Sequence, residues 1–349
     1  MVKKKIAVLF GGCSTEYDVS LQSAYAVITH MNLDLYEVIM IGITREGNWY
    51  RYQGDTSKLL DNTWFMDVSC TPALLSPNRS DHGLIEFKED GIFLTKIDAA
   101  FPVLHGKNGE DGTIQGLIEL AGIPLVGCDT LSSAICMDKD YAHKIISLAG
   151  IKTPASVVIR KGLPKIQLRK LTEHLNYPLF IKPVKSGSSF GITKIEYEED
   201  LLEAVNTAFL HDTKVVIEEN INGFEVGCAV LGSEELIIGE VDEIELSHGF
   251  FDYTEKYTLK TSSIHMPARI SGETANHIKE TALRIYRELG CSGFARVDMF
   301  LTPEGSIVFN EVNTIPGFTS HSRYPNMLKG IGLSFENILD KLILLALKN

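Results

Sequence analysis

The stretch RVDMFL at 296–301, joined by the turn Thr302-Pro303-Glu304-Gly305-Ser306 to SIVFNEVN at 306–313, is the part of the chain richest in chemistry. Both segments have the composition of strands, and the short turn predicts that they pair. Side chains alternate along a strand, so Arg296 and Asp298 share one face, and Glu311 and Asn313 likewise. Pairing brings three oxygen-bearing side chains and one guanidinium to a common point. Two carboxylates and an amide suit Mg2+, which takes hard oxygen ligands, keeps waters and is usually held jointly with phosphate groups. The competing reading is a polar, solvent-facing side of a hairpin. Against it stands Thr314-Ile315-Pro316-Gly317-Phe318, where Pro316 and Gly317 end the strand sharply. Gly317 can there offer its N–H, with Arg296, to a developing oxyanion.

A phosphate-binding element is then expected, and Lys185-Ser186-Gly187-Ser188-Ser189-Phe190-Gly191 has its composition. The flanking PLFIKP and ITKIEY alternate like strands, which places the loop at a hairpin tip. It is not a Walker loop, which ends in Gly-Lys-Ser/Thr and enters a helix; it is closer to the glycine flap that covers phosphates in kinases. Taken alone, such a loop is more often a plain turn. Lys182, in a strand beside Pro183, reads as a charge with a partner rather than a free surface lysine. Lys139 lies near the start of a helix over Asp138–Ala149, with Asp138 as its N-cap. The segment VVIEE-NING-FEVGCAVLG reads as a hairpin in which Glu218 and Glu219 precede an Asn-containing turn and Glu225 follows it. Such a hairpin can present its edge to an adenine and a carboxylate to ribose hydroxyls. Near the N-terminus, Phe10-Gly11-Gly12-Cys13-Ser14-Thr15-Glu16 lacks GxGxxG spacing, so a nicotinamide site is disfavoured. Glu16 reads either as a helix-dipole partner or as an anchor for a substrate ammonium group.

The chain has 349 residues, 44% of them hydrophobic, which points to two or three domains rather than one. With 45 acidic against 33 basic residues the net charge is -12, which disfavours nucleic acid and anionic membranes as partners. Six scattered cysteines form neither a disulfide framework nor a CxxC zinc pair, and fit a reducing compartment. The apolar run Ile6–Phe10 is too short for a signal peptide, and no run approaches the ~20 residues of a membrane span. A cytoplasmic protein is expected. Its C-terminal stretch, from Ile338 to Leu347, reads as a closing amphipathic helix.

From Lys5 to Gly127, β-rich runs alternate with helical ones, the pattern of a parallel sheet with covering helices. Short strands around the glycine-rich loop follow, and then a region of strands with a helix over Gly272–Leu289. The expected fold class is α/β in three domains: an N-terminal parallel α/β domain at 1–127, a central α+β domain at 128–213 and a C-terminal α+β domain at 214–349.

The chain resembles the D-alanine:D-alanine ligase family of the ATP-grasp superfamily over nearly its whole length. The resemblance rests on GGCSTEYDVS at 11–20, HGKNGEDGTIQG at 105–116, MDKDYAHK at 137–144, IKPVKSGSSFGITK at 181–194, FDYTEKY at 251–257, ARVDMF at 295–300 and FNEVNTIPGFTSHSRYP at 309–325. It implies a three-domain ATP-grasp fold, a homodimer, ATP gripped between the last two domains, and amino acids bound where all three meet. It also implies roles for single residues. Glu16 would hold the first substrate's ammonium group in a set with Ser188 and Tyr257, and His105 would lie beside that amino acid. Lys139, Lys182, Ser189, Glu218, Glu225 and Lys256 would bind ATP. Asp298, Glu311 and Asn313 would hold two Mg2+ (or Mn2+) ions, and Arg296 with the Gly317 N–H would form the oxyanion hole. Residues 251–260 would be a lid.

One departure bears on the substrate. After Ser322, where the family generally has an apolar residue, this chain has Arg323. A guanidinium beside the second subsite prefers a polar side chain, and Lys256-Tyr257 is retained, which argues for an amine nucleophile. The chain is most similar in these features to vancomycin-resistance D-alanine:D-serine ligases of the VanG type, with Phe251 and Asp242 implied as neighbours of Arg323. The expected substrates are therefore D-alanine and D-serine. The rival expectations are an ordinary D-alanine:D-alanine ligase and a nucleotide-binding sensor without chemistry.

Overall fold

The computed structural model describes residues 2–187, 190–246 and 262–348. The first sheet contains β1 (Lys4–Gly11), β2 (Tyr36–Ile43), β3 (Trp49–Tyr52), β4 (Thr71–Leu75), β5 (Gly83–Lys88), β6 (Gly91–Lys96) and β7 (Ala99–Pro102), in the order β6-β5-β4-β3-β2-β1-β7. Its centre is parallel, as expected: β1 pairs with β2 on one side and β7 on the other. Ile6 to Phe10 are wholly buried, because a central parallel strand is covered on both faces. Antiparallel strands β3 to β6 extend the sheet to one side. Helix α1 (Tyr17–Thr29) covers one face with Tyr17, Leu21, Ala24, Val27 and Ile28, spaced three and four residues apart. Between β1 and α1 the chain turns at Gly11, φ +88°, where a side chain would begin 2.1 Å from the Ile43 carbonyl oxygen.

Two helices, α2 (Thr113–Leu120) and α3 (Thr130–Met137), lead to α4 (Lys139–Leu148). Asp138 ends α3 and caps α4, accepting from the Tyr141 N–H. The second sheet holds β8 (Ser156–Arg160), β9 (Leu179–Pro183), β10 (Thr193–Ile195) and β11 (Lys214–Glu219) in the antiparallel order β10-β9-β11-β8. Helices α5 (Lys165–Thr172) and α6 (Leu201–Ala208) close its core around Leu168, Ile181, Leu201, Val205 and Ile217.

The third sheet orders β12 (Phe224–Gly232), β13 (Leu236–Leu246), β14 (Ser262–His265), β15 (Phe294–Leu301) and β16 (Ile307–Asn313) as β14-β13-β12-β15-β16. The hairpin expected from VVIEE-NING-FEVGCAVLG is not formed. β11 pairs with β8 and β9, whereas β12 pairs with β13 and β15, so 220–223 passes between sheets. Both segments read alike locally, and partner choice is made by which core each apolar face fills.

Alternation divides the third sheet. Val226, Cys228, Val297 and Met299 pack against Ile278, Ala282 and Ile285 of α7 (Gly272–Glu288). The other face lies under α8 (Arg323–Gly330). The final helix α9 (Phe335–Lys348) buries Ile338, Leu339, Leu342, Ile343 and Ala346 in one core with Ile6, Val8 and Phe101 of the first sheet. Each such aliphatic side chain contributes roughly 1.5–3 kcal/mol when fully buried, which ties the C-terminus to the N-terminal sheet. Among the described residues no helix is long and apolar enough to cross a membrane.

Candidate active site

A cavity of about 380 Å3 opens between the second and third sheets, bordered by Lys139, Lys182, Glu218, Glu225 and Glu311. Lys182 on β9 faces Val216 of β11, which puts Glu218 in the diagonal position on the same face. The two side chains form an ion pair at 2.5 Å, Nζ to Oε2. Burial would raise the Glu218 carboxyl, but Lys182, with His143 and Lys139, outweighs it and holds the group below its ordinary value. The other oxygen, Oε1, is buried without a hydrogen-bond partner among the described residues. His143 approaches it to 3.7 Å at Nδ1, and the His143 Nε2–H donates to the Asn310 carbonyl at 2.8 Å. Lys139, the first residue of α4, donates to the Ser186 carbonyl at 2.9 Å and lies 3.4 Å from Glu311 Oε2.

β15 and β16 pair as expected, and a register shift between Asp298 and Met299 sets Arg296 opposite Asn313 and Asp298 opposite Glu311. Asp298 is the hub. Arg296 donates to it through Nε and Nη2 at 2.8 and 2.7 Å, and Asn313 Nδ2 donates to Oδ2 at 2.8 Å. The oxygens of Asp298, Glu311 and Asn313 are of the hard kind that Mg2+ takes. Lys139 stands beside Glu311, and Arg296 and Arg323 beside Asp298, so side-chain cations balance both carboxylates. Among the described residues no three His, Cys, Asp or Glu groups gather to hold a metal by themselves. A cation here would complete its shell from phosphate and water, and the donor set fits that arrangement.

A second cavity, about 730 Å3, is bordered by Glu16, His105, Glu110, Arg296, Gly317 and Arg323. Glu16 reaches it from the start of α1, between Gly106 and Gly187. A side chain on those glycines would begin 2.6 and 2.8 Å from Glu16 Oε2, so the glycine-rich loop and the N-terminal sheet meet at this carboxylate. His105 Nδ1 contacts the Ile315 carbonyl at 2.8 Å and Nε2 contacts Ser23 Oγ at 3.2 Å. A carbonyl only accepts, so Nδ1 carries the proton. Burial lowers the His105 pKa, which keeps the ring neutral.

Arg323 opens α8, an unfavourable place for a cation by itself, since a helix N-terminus is the positive end. Three carboxylates offset this. Nε and Nη2 bind Asp242 in a bidentate pair at 2.7 Å each, Nη1 donates to Glu225 Oε1 at 2.8 Å, and Nη1 lies 3.4 Å from Asp298 Oδ1. Asp242 is thus brought to Arg323. Glu225, expected at the ribose, borders the first cavity but spends one oxygen on Arg323. Ser322 Oγ accepts from the Thr319 N–H at 2.9 Å, and the residue lines the second cavity beside Gly317. Ser188, Ser189, Phe251, Lys256 and Tyr257 lie outside the described residues.

Sequence reasoning passed over Glu110, which accepts from the Gly106 and Ile315 N–H groups at 2.8 and 3.2 Å. Burial, then the neighbouring Glu16 carboxylate, push it up to about 8. Its position inside HGKNGEDG was the available signal, but a loop carries no periodicity that reveals burial. Gly227 in β12 and His143 in α4 were also missed, because their partners, Arg323 and Glu218, come from distant segments.

Residues 5–128 match the model described as D-ala D-ala ligase N-terminus, and residues 145–344 match that described as D-ala D-ala ligase C-terminus. The chain belongs to the D-alanine–D-alanine ligase family. Within that family it is 48% identical over all of both chains to the vancomycin B-type resistance protein VanB of Enterococcus faecalis. It is 46% identical to a D-alanine–D-alanine ligase of Caldicellulosiruptor bescii, covering all of this chain and 96% of the other. The crystal structure of the VanG D-Ala:D-Ser ligase from Enterococcus faecalis superimposes with a TM-score of 0.92 at 63% identity, covering 99% of this chain and 100% of that one. The fold is the α/β ATP-grasp fold of D-alanine–D-alanine ligases, and the protein is an ATP-dependent ligase.

Proposed function

We propose that this ligase joins D-alanine to D-serine through a D-alanyl phosphate, making peptidoglycan precursors to which vancomycin binds poorly. The carboxylate of D-alanine attacks the γ-phosphate of ATP and releases ADP; the amine of D-serine then attacks the acyl phosphate, and inorganic phosphate leaves. The first cavity supports the ATP reading: Lys139 and Lys182 are among its cations, and Glu218 Oε1, without a hydrogen-bond partner among the described residues, can accept from the amino group of an adenine. Ser189 and Lys256 join that set by resemblance. Mg2+ or Mn2+, two ions by resemblance, would be held by Asp298, Glu311 and Asn313 and would supply charge neutralisation to the phosphates. Glu16, with Ser188 and Tyr257, anchors the first ammonium group beside His105. Arg296 and Gly317 line the second cavity, where the guanidinium and the Gly317 N–H would stabilise the tetrahedral oxyanion.

D-serine as acceptor is carried by one observation: Arg323 is buried at the second cavity, held inward by Asp242 and Glu225. Three of its five N–H groups are used in hydrogen bonds among the described residues and Nη1 also approaches Asp298, which leaves an N–H of Nη2 to meet a hydroxyl. Phe251 and Ser322 would flank that subsite. Competition between equimolar D-serine and D-alanine, read by product mass, tests the reading; exclusive D-alanyl-D-alanine would overturn it in favour of an ordinary D-alanine–D-alanine ligase. A cytoplasmic homodimer completes the proposal.

A further inference from the structure

The register of the third sheet sets Asp242, Gly227, Asp298 and Glu311 opposite one another across four adjacent strands. Three positions of this row carry carboxylates and one carries nothing. Gly227 lies mid-strand in β12, where glycine weakens a strand and often marks a close approach by another group. The group here is the Arg323 guanidinium. A Cβ on Gly227 would begin 2.4 Å from Arg323 Nη2, 2.8 Å from Asp242 Oδ1 and 2.9 Å from Met327 Cε. A second glycine, Gly239 on β13, lies under the backbone of Met327 in the same way, so α8 rides close to the sheet on both. Gly239 meets helix backbone, whereas Gly227 meets the far end of a side chain.

From this we propose that Gly227 is a specificity-determining position: its missing side chain is the socket that admits the Arg323 guanidinium between Asp242 and Asp298, and so selects an acceptor amino acid bearing a hydroxyl. The inference rests on the D-serine reading above. Filling the socket with one methyl group displaces the guanidinium but leaves the strand ladder able to form, because the nearest atom is a side-chain terminus.

The test is a cycle of Gly227→Ala, Arg323→Leu and the double variant in the full-length enzyme with ATP and Mg2+. Two quantities are read: the ratio of D-alanyl-D-serine to D-alanyl-D-alanine from equimolar acceptors, and the thermal midpoint. Gly227→Ala alone is expected to lower the ratio about tenfold, the factor that corresponds to roughly one lost hydrogen bond. It should also lower the midpoint. In the Arg323→Leu background the same substitution should change the ratio by less than about twofold, the usual limit of independence. An unchanged ratio in Gly227→Ala, while Arg323→Leu shifts it, overturns the socket and leaves the D-serine reading standing. Equal losses of midpoint in both backgrounds also overturn it, since they would mark a plain strand defect. If Arg323→Leu itself leaves the ratio unchanged, the D-serine reading fails and this proposal falls with it.

Discussion

Nη1 of Arg323 lies 3.4 Å from Oδ1 of Asp298, so the side chain that borders the second cavity also approaches the carboxylate at the centre of the expected cation site. The proposed acceptor contact and the charge balance of Asp298 are thereby physically linked. Arg323 and Asp242 are 7% and 1% exposed at the side chain, and removing one partner leaves the other charged in a low-dielectric interior. Arg323→Leu should therefore destabilise the protein by about 3–5 kcal/mol in chemical denaturation. Pairing it with Asp242→Asn should recover much of that loss, as the carboxylate no longer needs a counter-charge.

Lys182 is the cation nearest the buried Glu218 carboxylate. Lys182→Met should raise the Kd for ATP at least about tenfold, measured by calorimetry, because the charge proposed to meet the phosphates is lost. It should also lower stability by about 3 kcal/mol, since Glu218 loses its ion pair. Glu218→Gln combined with Lys182→Met should recover stability without recovering ATP binding.

Glu110 holds its proton in the folded protein at pH values where the unfolded chain has released it. Its folded pKa is raised, so the associated stability is complete below the unfolded value, about 4.5, and is lost as pH climbs to about 8. Over that interval Glu110→Gln should flatten the fall in unfolding free energy by up to about 1.4 kcal/mol per pH unit. A wild-type slope retained in Glu110→Gln would show that the proton sits elsewhere.

At Gly187 the loop passes over Glu16. Gly187→Ala would place a methyl 2.8 Å from Glu16 Oε2 and push the loop away from the N-terminal sheet. D-alanine-dependent phosphate release should fall about tenfold or more through a misplaced carboxylate, while the thermal midpoint stays close to wild type because Gly187 is only partly buried. A variant with full activity would separate Glu16 from the loop.

Much of this could be read from the chain alone. The pairing of the two strands, and the sharing of one face by Arg296 with Asp298 and by Glu311 with Asn313, follow from a short turn and alternation, but the register does not: an irregularity between Asp298 and Met299 shifts it by one residue and so sets Asp298 opposite Glu311. Asp138 as the cap of α4, Lys182 in a strand and the amphipathic closing helix were legible on the same grounds. The rest needed distant segments to meet. Whether β11 pairs with β12 or with β9 depends on which core takes its apolar face, and a short turn sequence does not encode that choice. The partners of Arg323 lie 81, 98 and 25 residues away in sequence, and the burial that holds the proton on Glu110 exists only once distant segments carrying Glu16 and Ile315 have met it. Local periodicity therefore determined which side chains share a face, and long-range packing, which sets solvent exclusion and charge proximity, decided what each one does there.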